Sequence, residues 1–264
     1  DDGTVTAKNS MFDPGTGTHT IVQQVVAEEL GLDVSRVRVV MFNTDEVEND
    51  TGVGGSRGSY VAPAAANAAA EDVKARLRKL ASEFEGWDEE LVEYDSGFLV
   101  NTRSGDRTPM EAIAERAGDP VEGRGSIMDM SPNPHTSFVA QVAEVEVDPE
   151  TSELAITRFT SVHDTSQVIN PIGFHGQIEG GIMNSLGFAL MEELAVDEGG
   201  RITNPSFADF KIPTEPDVPP LTTSLVTTAA GRGEYKVKGI GEHSNLTTAP
   251  AIANAIAAAT GVRL

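Results

Sequence analysis

Gly176-Gln177-Ile178-Glu179-Gly180-Gly181 lies inside a stretch, about Phe174 to Glu193, that reads as a glycine-rich helix. Such a helix is odd by its own propensities, because Gly176, Gly180, Gly181 and Gly187 each cost roughly 1 kcal/mol relative to Ala in a helix interior. The spacing of Gly176 and Gly180 lets another backbone or a ligand pack against that face, and the neighbouring Gln177, Glu179 and Glu192 exclude a membrane-dimer motif. Close packing in the core and contact with a ligand both account for the glycines. Gln177 accordingly faces solvent or donates to a ligand from its amide.

Working outward from this helix, Phe138 to Val147 reads as a strand in which Val145 and Val147 alternate with Glu144 and Glu146. A turn at Asp148-Pro149-Glu150 leads to a second strand, Leu154 to Val162. Beyond the helix come an extended loop from Pro213 to Pro220, a strand from Leu221 to Thr228, and a closing helix from Ala249 to Thr260 stopped by Gly261. Upstream, a short strand near Val5 precedes a helix from about His19 to Leu30, whose Val22, Val25, Val26 and Leu30 recur at helical spacing before Gly31. Arg36 to Phe42 reads as a strand, and an Ala-rich helix is expected from about Pro63 to Phe84. Leu91 to Tyr94 and Phe98 to Val100 read as a hairpin, and Thr108-Pro109-Met110-Glu111 as a capping box with proline at the first helical position. Strands and helices intermix without regular βα alternation, so the expected class is α+β with two lobes. The Gly- and Pro-containing stretch Glu122 to His135 is the candidate boundary, with residues 1–121 as first lobe and 136–264 as second.

Three glycine-rich loops each run into a helix: Gly15 to Thr18, Gly52 to Ser59, and Gly239 to Ala249. Free N–H groups and the positive dipole end of a helix suit an anion, so three such loops point to a large polyanionic cofactor. A dinucleotide fold explains them poorly, since Gly15-Thr16-Gly17-Thr18-His19-Thr20 lacks a third glycine and no compact βαβ unit with a downstream acid is expected around it. Glu242 ends the run Lys238-Gly239-Ile240-Gly241-Glu242, ahead of apolar residues including Leu246 and Ala249. Desolvation there would raise its pKa and suit it as a base; otherwise it is a wet turn residue. The five histidines are scattered singly and there is no cysteine, so no His-built or thiolate metal site and no protein-held iron–sulfur cluster is expected in this chain.

The 264 residues suffice for one large domain or two ordinary ones, and the 39% hydrophobic and 23% charged content is that of an ordinary globular protein. A net charge of −22 repels nucleic-acid phosphates and anionic lipid, so neither is an expected partner. No apolar run approaches a membrane span, and the start Asp1-Asp2-Gly3-Thr4 has neither initiator Met nor signal-peptide pattern. The expected location is cytoplasmic, and the abrupt start reads as a fragment or a processed half.

Taken together, several separated motifs resemble the large subunit of the xanthine dehydrogenase and aldehyde oxidase family. They are Gly15 to Thr20 with Gln23 and Ala27 to Gly31, Gly54-Gly55-Ser56-Arg57, Ile169-Asn170-Pro171, the Gly176 to Gly181 run, and Lys238 to Glu242 followed by Ala249 to Ala255. The resemblance covers the second half of that family's molybdopterin-binding region. It implies a two-lobed α+β domain with the cofactor between lobes and with no protein ligand to the molybdenum. It places Gly15, Thr16, Gly17, Gly55, Ser56, Arg57, Gly58, Ser59 and Gln177 on molybdopterin, in the cytosine dinucleotide form, and makes Glu242 the general base beside the metal. The implied reaction hydroxylates an electron-poor carbon of a heterocycle or aldehyde with oxygen from water. Electrons then leave through iron–sulfur clusters to FAD on partner chains or domains, and a further chain or segment supplies the first half of the molybdopterin region. Two departures stand out: Thr16 replaces the Gln usual in the first cofactor loop, and His243-Ser244 stands where the family often has two prolines. The competing readings are a non-catalytic cofactor-holding or assembly subunit and a free-standing sugar- or nucleotide-binding protein.

Overall fold

The computed structural model describes residues 3–41, 45, 50–128, 136–231 and 233–263. Expectations for Phe42 and for the part of the boundary stretch at 129–135 lie outside the described residues. The fold is α+β and falls into two compact units, Asp1–Pro134 with Gly233–Tyr235, and His135–Arg232 with Lys236–Leu264.

In the first unit, β1 (Val5–Asn9) pairs in parallel with β2 (Val37–Met41), and the crossover between them is α1 (Thr18–Leu30). This is a compact βαβ unit, which the sequence reading did not expect around Gly15 to Thr20. Among the described residues the sheet has two strands, unlike the extended parallel sheet that a dinucleotide fold builds. Helix α2 (Gly58–Glu85) packs on α1, and its buried Val61, Ala62, Ala66 and Ala70 present a small-residue face. It begins five residues before the expected Pro63. Proline favours the first helical position, but here the preceding turn is already fixed, because Gly58 is buried against Thr18 and Met11.

Strands β3 (Val92–Asp95) and β4 (Phe98–Asn101) form the expected hairpin; Asp95 opposes Phe98, so the loop is only Ser96-Gly97. Both loop residues have positive φ (48° and 86°), the geometry of a type I′ turn. The Tyr94 hydroxyl donates to the Leu30 carbonyl at 2.7 Å, tying the hairpin to the end of α1. The expected capping box fails. Thr108 is spent in β5 (Arg107–Pro109), opposite Leu99, so Pro109 becomes the N-cap of α3 (Met110–Ala117), while Glu111 pairs with Arg36. The unit's core joins Leu77, Ala81, Val92, Leu99, Met110 and Ile113.

In the second unit, β6 (Val139–Val147) runs antiparallel to β7 (Leu154–Asp164), and β8 (Leu221–Val226) runs parallel to β7. A bulge between Glu144 and Val145 shifts the register without disturbing the alternation of inward Val and outward Glu. Helices α4 (Pro171–Leu190) and α5 (His243–Thr260) pack on each other; α5 lies on β6. Phe159, Phe174, Ile178, Ile182, Ile240 and Ile252 fill the space between helices and sheet. Helix α4 starts at Pro171, earlier than expected, because the Asn170 side chain accepts from the Gly173 N–H and caps it. Helix α5 starts at His243 rather than Ala249, with Pro250 inside it, so the third glycine loop ends at Glu242. The expected extended loop Pro213 to Pro220 contains a short helical turn at Glu215–Asp217. Among the described residues no helix is long and apolar enough to cross a membrane.

Candidate cofactor and catalytic site

In the first unit the two glycine loops that open α1 and α2 are neighbours: a Cβ on Gly58 would lie 3.4 Å from Thr18 Oγ1. The first loop does not offer its N–H groups freely. Asp13 accepts from Gly15 N at 2.9 Å, Gly17 N at 3.1 Å and His19 N at 3.2 Å. Burial opposes ionisation of Asp13, but the three N–H donors outweigh it and hold the carboxyl below its usual range. An internal carboxylate thus takes the dipole end that the sequence reading reserved for an external anion. Thr16 and Thr18 face one another with hydroxyls 3.2 Å apart.

The second loop is wound differently. Gly55 and Ser56 both have positive φ (69° and 56°), so two consecutive residues are left-handed just before α2. Arg57 folds back along its own loop, donating to the Gly52 carbonyl at 2.7 Å and Thr51 Oγ1 at 2.9 Å, with Asp50 beyond at 3.3 Å. Gly15, Gly54 and Gly55 have open space where a Cβ would stand, so a ligand can approach the backbone closely at those points.

In the second unit the glycines of α4 divide by face. Gly181 is buried against α5, where a Cβ would overlap Ser244 Oγ and lie 3.1 Å from Ser244 Cβ. Gly176 and Gly180 are exposed with nothing within 4 Å of a Cβ position. Packing therefore explains Gly181, and the Gly176–Gly180 face presents open backbone. Gln177 is half-buried on this helix, and among the described residues its side-chain amide makes no hydrogen bond. Its carbonyl accepts from Ser244 Oγ at 3.5 Å.

Glu242 is the N-cap residue of α5. The expected desolvation is not found: Glu242 is exposed, and Leu246, one turn on, is 69% exposed. The chain instead fixes the loop from below. Lys238, 2% exposed, donates from Nζ to Asp164 Oδ2 at 2.6 Å and to the Thr136 carbonyl at 2.7 Å. The ammonium of Lys238 holds the Asp164 carboxyl below the usual range; burial opposes this and Thr228 adds to it. His163, wholly buried beside that pair on β7, meets Ser161 Oγ through Nε2 at 2.7 Å. Burial first and the charge of nearby His243 second push its pKa down to about 4, so the imidazole is neutral. Burial also lowers His243, with Lys238 acting in the same direction and Glu242 opposing.

The structure thus places Gly15, Thr16, Gly17, Gly55, Ser56, Arg57, Gly58 and Ser59 in the first unit, and Gln177 and Glu242 in the second. Sequence reasoning missed Asp13, Asp164 and Gln141. Asp13-Pro14-Gly15 carries a recognisable turn signal, whereas Asp164 meets Lys238 across 74 positions and Gln141 meets Thr248 across 107, beyond any local pattern. Among the described residues no three His, Cys, Asp or Glu side chains gather as a metal cluster.

Residues 1–219 match the model of the molybdopterin cofactor-binding domain. The xanthine dehydrogenase molybdenum-binding subunit of Escherichia coli O157:H7 is 32% identical over 273 residues, covering 100% of this chain and 36% of the relative. The 6-hydroxypseudooxynicotine dehydrogenase complex subunit gamma of Paenarthrobacter nicotinovorans is 30% identical, covering 96% of this chain and 33% of the relative. The reconstituted CO dehydrogenase from Oligotropha carboxidovorans superposes with a TM-score of 0.84 at 26% identity, over 98% of this chain and 33% of that one. The chain belongs to the molybdopterin cofactor-binding family of molybdenum hydroxylase subunits, the xanthine dehydrogenase and aldehyde oxidase type. It spans about a third of the length of these relatives.

Proposed function

We propose that this chain is the C-terminal half of the cofactor-binding subunit of a molybdenum hydroxylase that inserts water-derived oxygen at an electron-poor carbon of a heterocycle or aldehyde. The observation that carries the reading is the exposed Glu242 carboxylate at the head of α5, above a loop that buried Lys238 fixes in place. A general base must be aimed at its proton and within hydrogen-bond reach of it, and a carboxylate on a pinned helix start meets the first need. The open backbone at Gly176 and Gly180 beside the unbonded Gln177 amide fits a polar cofactor edge, as do the accessible Gly15 and Gly55. The first loop fits less well, since Asp13 already holds its N–H groups. On this reading Gly15, Thr16, Gly17, Gly55, Ser56, Arg57, Gly58, Ser59 and Gln177 hold molybdopterin, in its cytosine dinucleotide form, within two lobes at 1–121 and 136–264. When bound, the molybdenum centre supplies the two-electron oxidation of the substrate carbon. Glu242 takes a proton at its carboxylate, and Lys238 with Asp164 keeps the loop from moving away.

The names of the relatives, a molybdenum-binding subunit and a subunit gamma, support a multi-chain assembly. Its other members would supply the remaining molybdopterin region, the iron–sulfur clusters and FAD, and this chain alone would be inactive. The deciding experiment is Glu242→Gln in the complete complex. Turnover should fall by about 10²–10⁴ while molybdenum and pterin contents hold. Parental turnover in that variant would favour a cofactor-holding or assembly role instead.

A further inference from the structure

The polar groups beneath the start of α5 converge on one side chain. Gln141, on β6, donates from Nε2 to Ser161 Oγ at 3.0 Å and to the Ser244 carbonyl at 3.2 Å. Its Oε1 accepts from Thr247 Oγ1 at 2.7 Å and from Thr248 Oγ1 at 2.9 Å. A carbonyl oxygen only accepts, so the amide atom facing Ser244 must be nitrogen, and the orientation of Gln141 is fixed. Both amide hydrogens are then engaged. Ser161 Oγ, which accepts from Gln141, also lies 2.7 Å from His163 Nε2. Three of Gln141's four partners lie within the first six residues of α5, directly after Glu242; the fourth anchors the amide to β7.

Pro250 shows why the helix needs this clamp. It has no N–H, so the Leu246 carbonyl receives no helical bond and the first turn lacks one rung of its own ladder. Thr248 Oγ1 also reaches the Ser244 carbonyl, at 2.8 Å, so side chains reinforce the turn next to the missing rung.

We propose that Gln141 is a positioning residue for Glu242. By clamping Ser244, Thr247 and Thr248 it sets the direction in which the first turn of α5 presents the carboxylate. This rests on the reading of Glu242 as general base. Removing the clamp leaves the carboxylate in place but misaimed, which slows the chemical step without weakening substrate binding.

The test compares Gln141→Leu with Glu242→Gln in the complete complex, reading kcat, KM, and hydrogen exchange at the backbone amides. For Gln141→Leu, kcat should drop by about 10–10²-fold with KM within about twofold. Exchange should quicken at residues 243–248 while the interior of α4 stays protected. Gln141→Glu, which keeps the acceptor but loses both donors, should fall between it and the parent. If Gln141→Leu keeps parental kcat while Glu242→Gln is inactive, the positioning role is overturned and the base reading stands. If Glu242→Gln itself turns over normally, the base reading falls and takes the positioning role with it. Should Gln141→Leu fail to fold, Thr247→Val with Thr248→Val removes two of the same bonds from the helix side and is read in the same way.

Discussion

Gly181 on α4 and Ser244 on α5 are pressed together so closely that no side chain fits at position 181. The contact joins the helix that carries Gln177 to the helix that Glu242 caps. Both residues expected to act in the second unit are therefore set by one close helix crossing.

Substitution at Gly176, Gly180 and Gly181 of α4 should split by face. Gly181→Ala has to push α5 away and should cost about 1–3 kcal/mol, the usual price of overpacking. Gly176→Ala and Gly180→Ala meet open space and should each raise stability by up to about 1 kcal/mol through helix propensity. Denaturant melts of the three variants check this, and equal effects at 181 and 180 would contradict it.

Gln177→Ala removes an amide with no hydrogen bond to the described residues, so the fold should melt within about 0.5 kcal/mol of the parent. If the amide serves the cofactor, molybdenum and pterin retention in the assembled protein should fall. Full retention together with unchanged stability would leave Gln177 as an ordinary solvent-facing residue.

Breaking the Lys238–Asp164 pair should be among the most damaging single changes in the second unit. Asp164→Asn leaves the Lys238 ammonium buried without its counter-charge and should cost about 3–5 kcal/mol. The sign with pH follows from the lowered Asp164 pKa. Its contribution is complete above the unfolded value of about 3.9 and is lost as pH falls through the folded value. Urea melts from pH 7 down to pH 3 measure it; a slope unchanged by Asp164→Asn below pH 4 would refute it.

His163 adds a second acid-sensitive contribution at higher pH. Its folded pKa of about 4 lies below the unfolded value near 6.5, so the unfolded chain binds the proton first. The stability it contributes is whole above pH about 6.5 and drains away as pH falls from there towards 4. In His163→Phe this part of the pH dependence should vanish, even though the variant is weaker overall from losing its bond to Ser161. An unaltered slope between pH 6.5 and 4 would show that another group is responsible.

Asp13→Ala should free the N–H groups of Gly15, Gly17 and His19 and lower stability by about 0.5–2 kcal/mol, as removal of a helix-capping side chain does. Isothermal titration with inorganic pyrophosphate should show tighter anion binding in Asp13→Ala than in the parent. Weaker binding would mean that the carboxylate assists the loop's ligand rather than displacing it.

The sequence by itself determined the α+β class, the hairpin of β3 and β4, most strands to within one or two residues, and the family. These rest on local alternation, turn chemistry and short motifs, all of which act over a few neighbouring positions. It misjudged where α2 and α5 begin for one reason in both cases. Pro63 and Pro250 look like first-turn residues, yet the turns before them are fixed by Gly58 against Thr18 and by Ser244 against Gly181. Only the tertiary structure decided that Gly181 serves packing while Gly176 and Gly180 stay open, and that Asp13 fills the first loop's donors. It also decided that Glu242 stands exposed, on a loop held by buried Lys238 and its partner Asp164. Packing distance and the partner of a buried charge are properties of segments brought together from far along the chain, and no local pattern carries them.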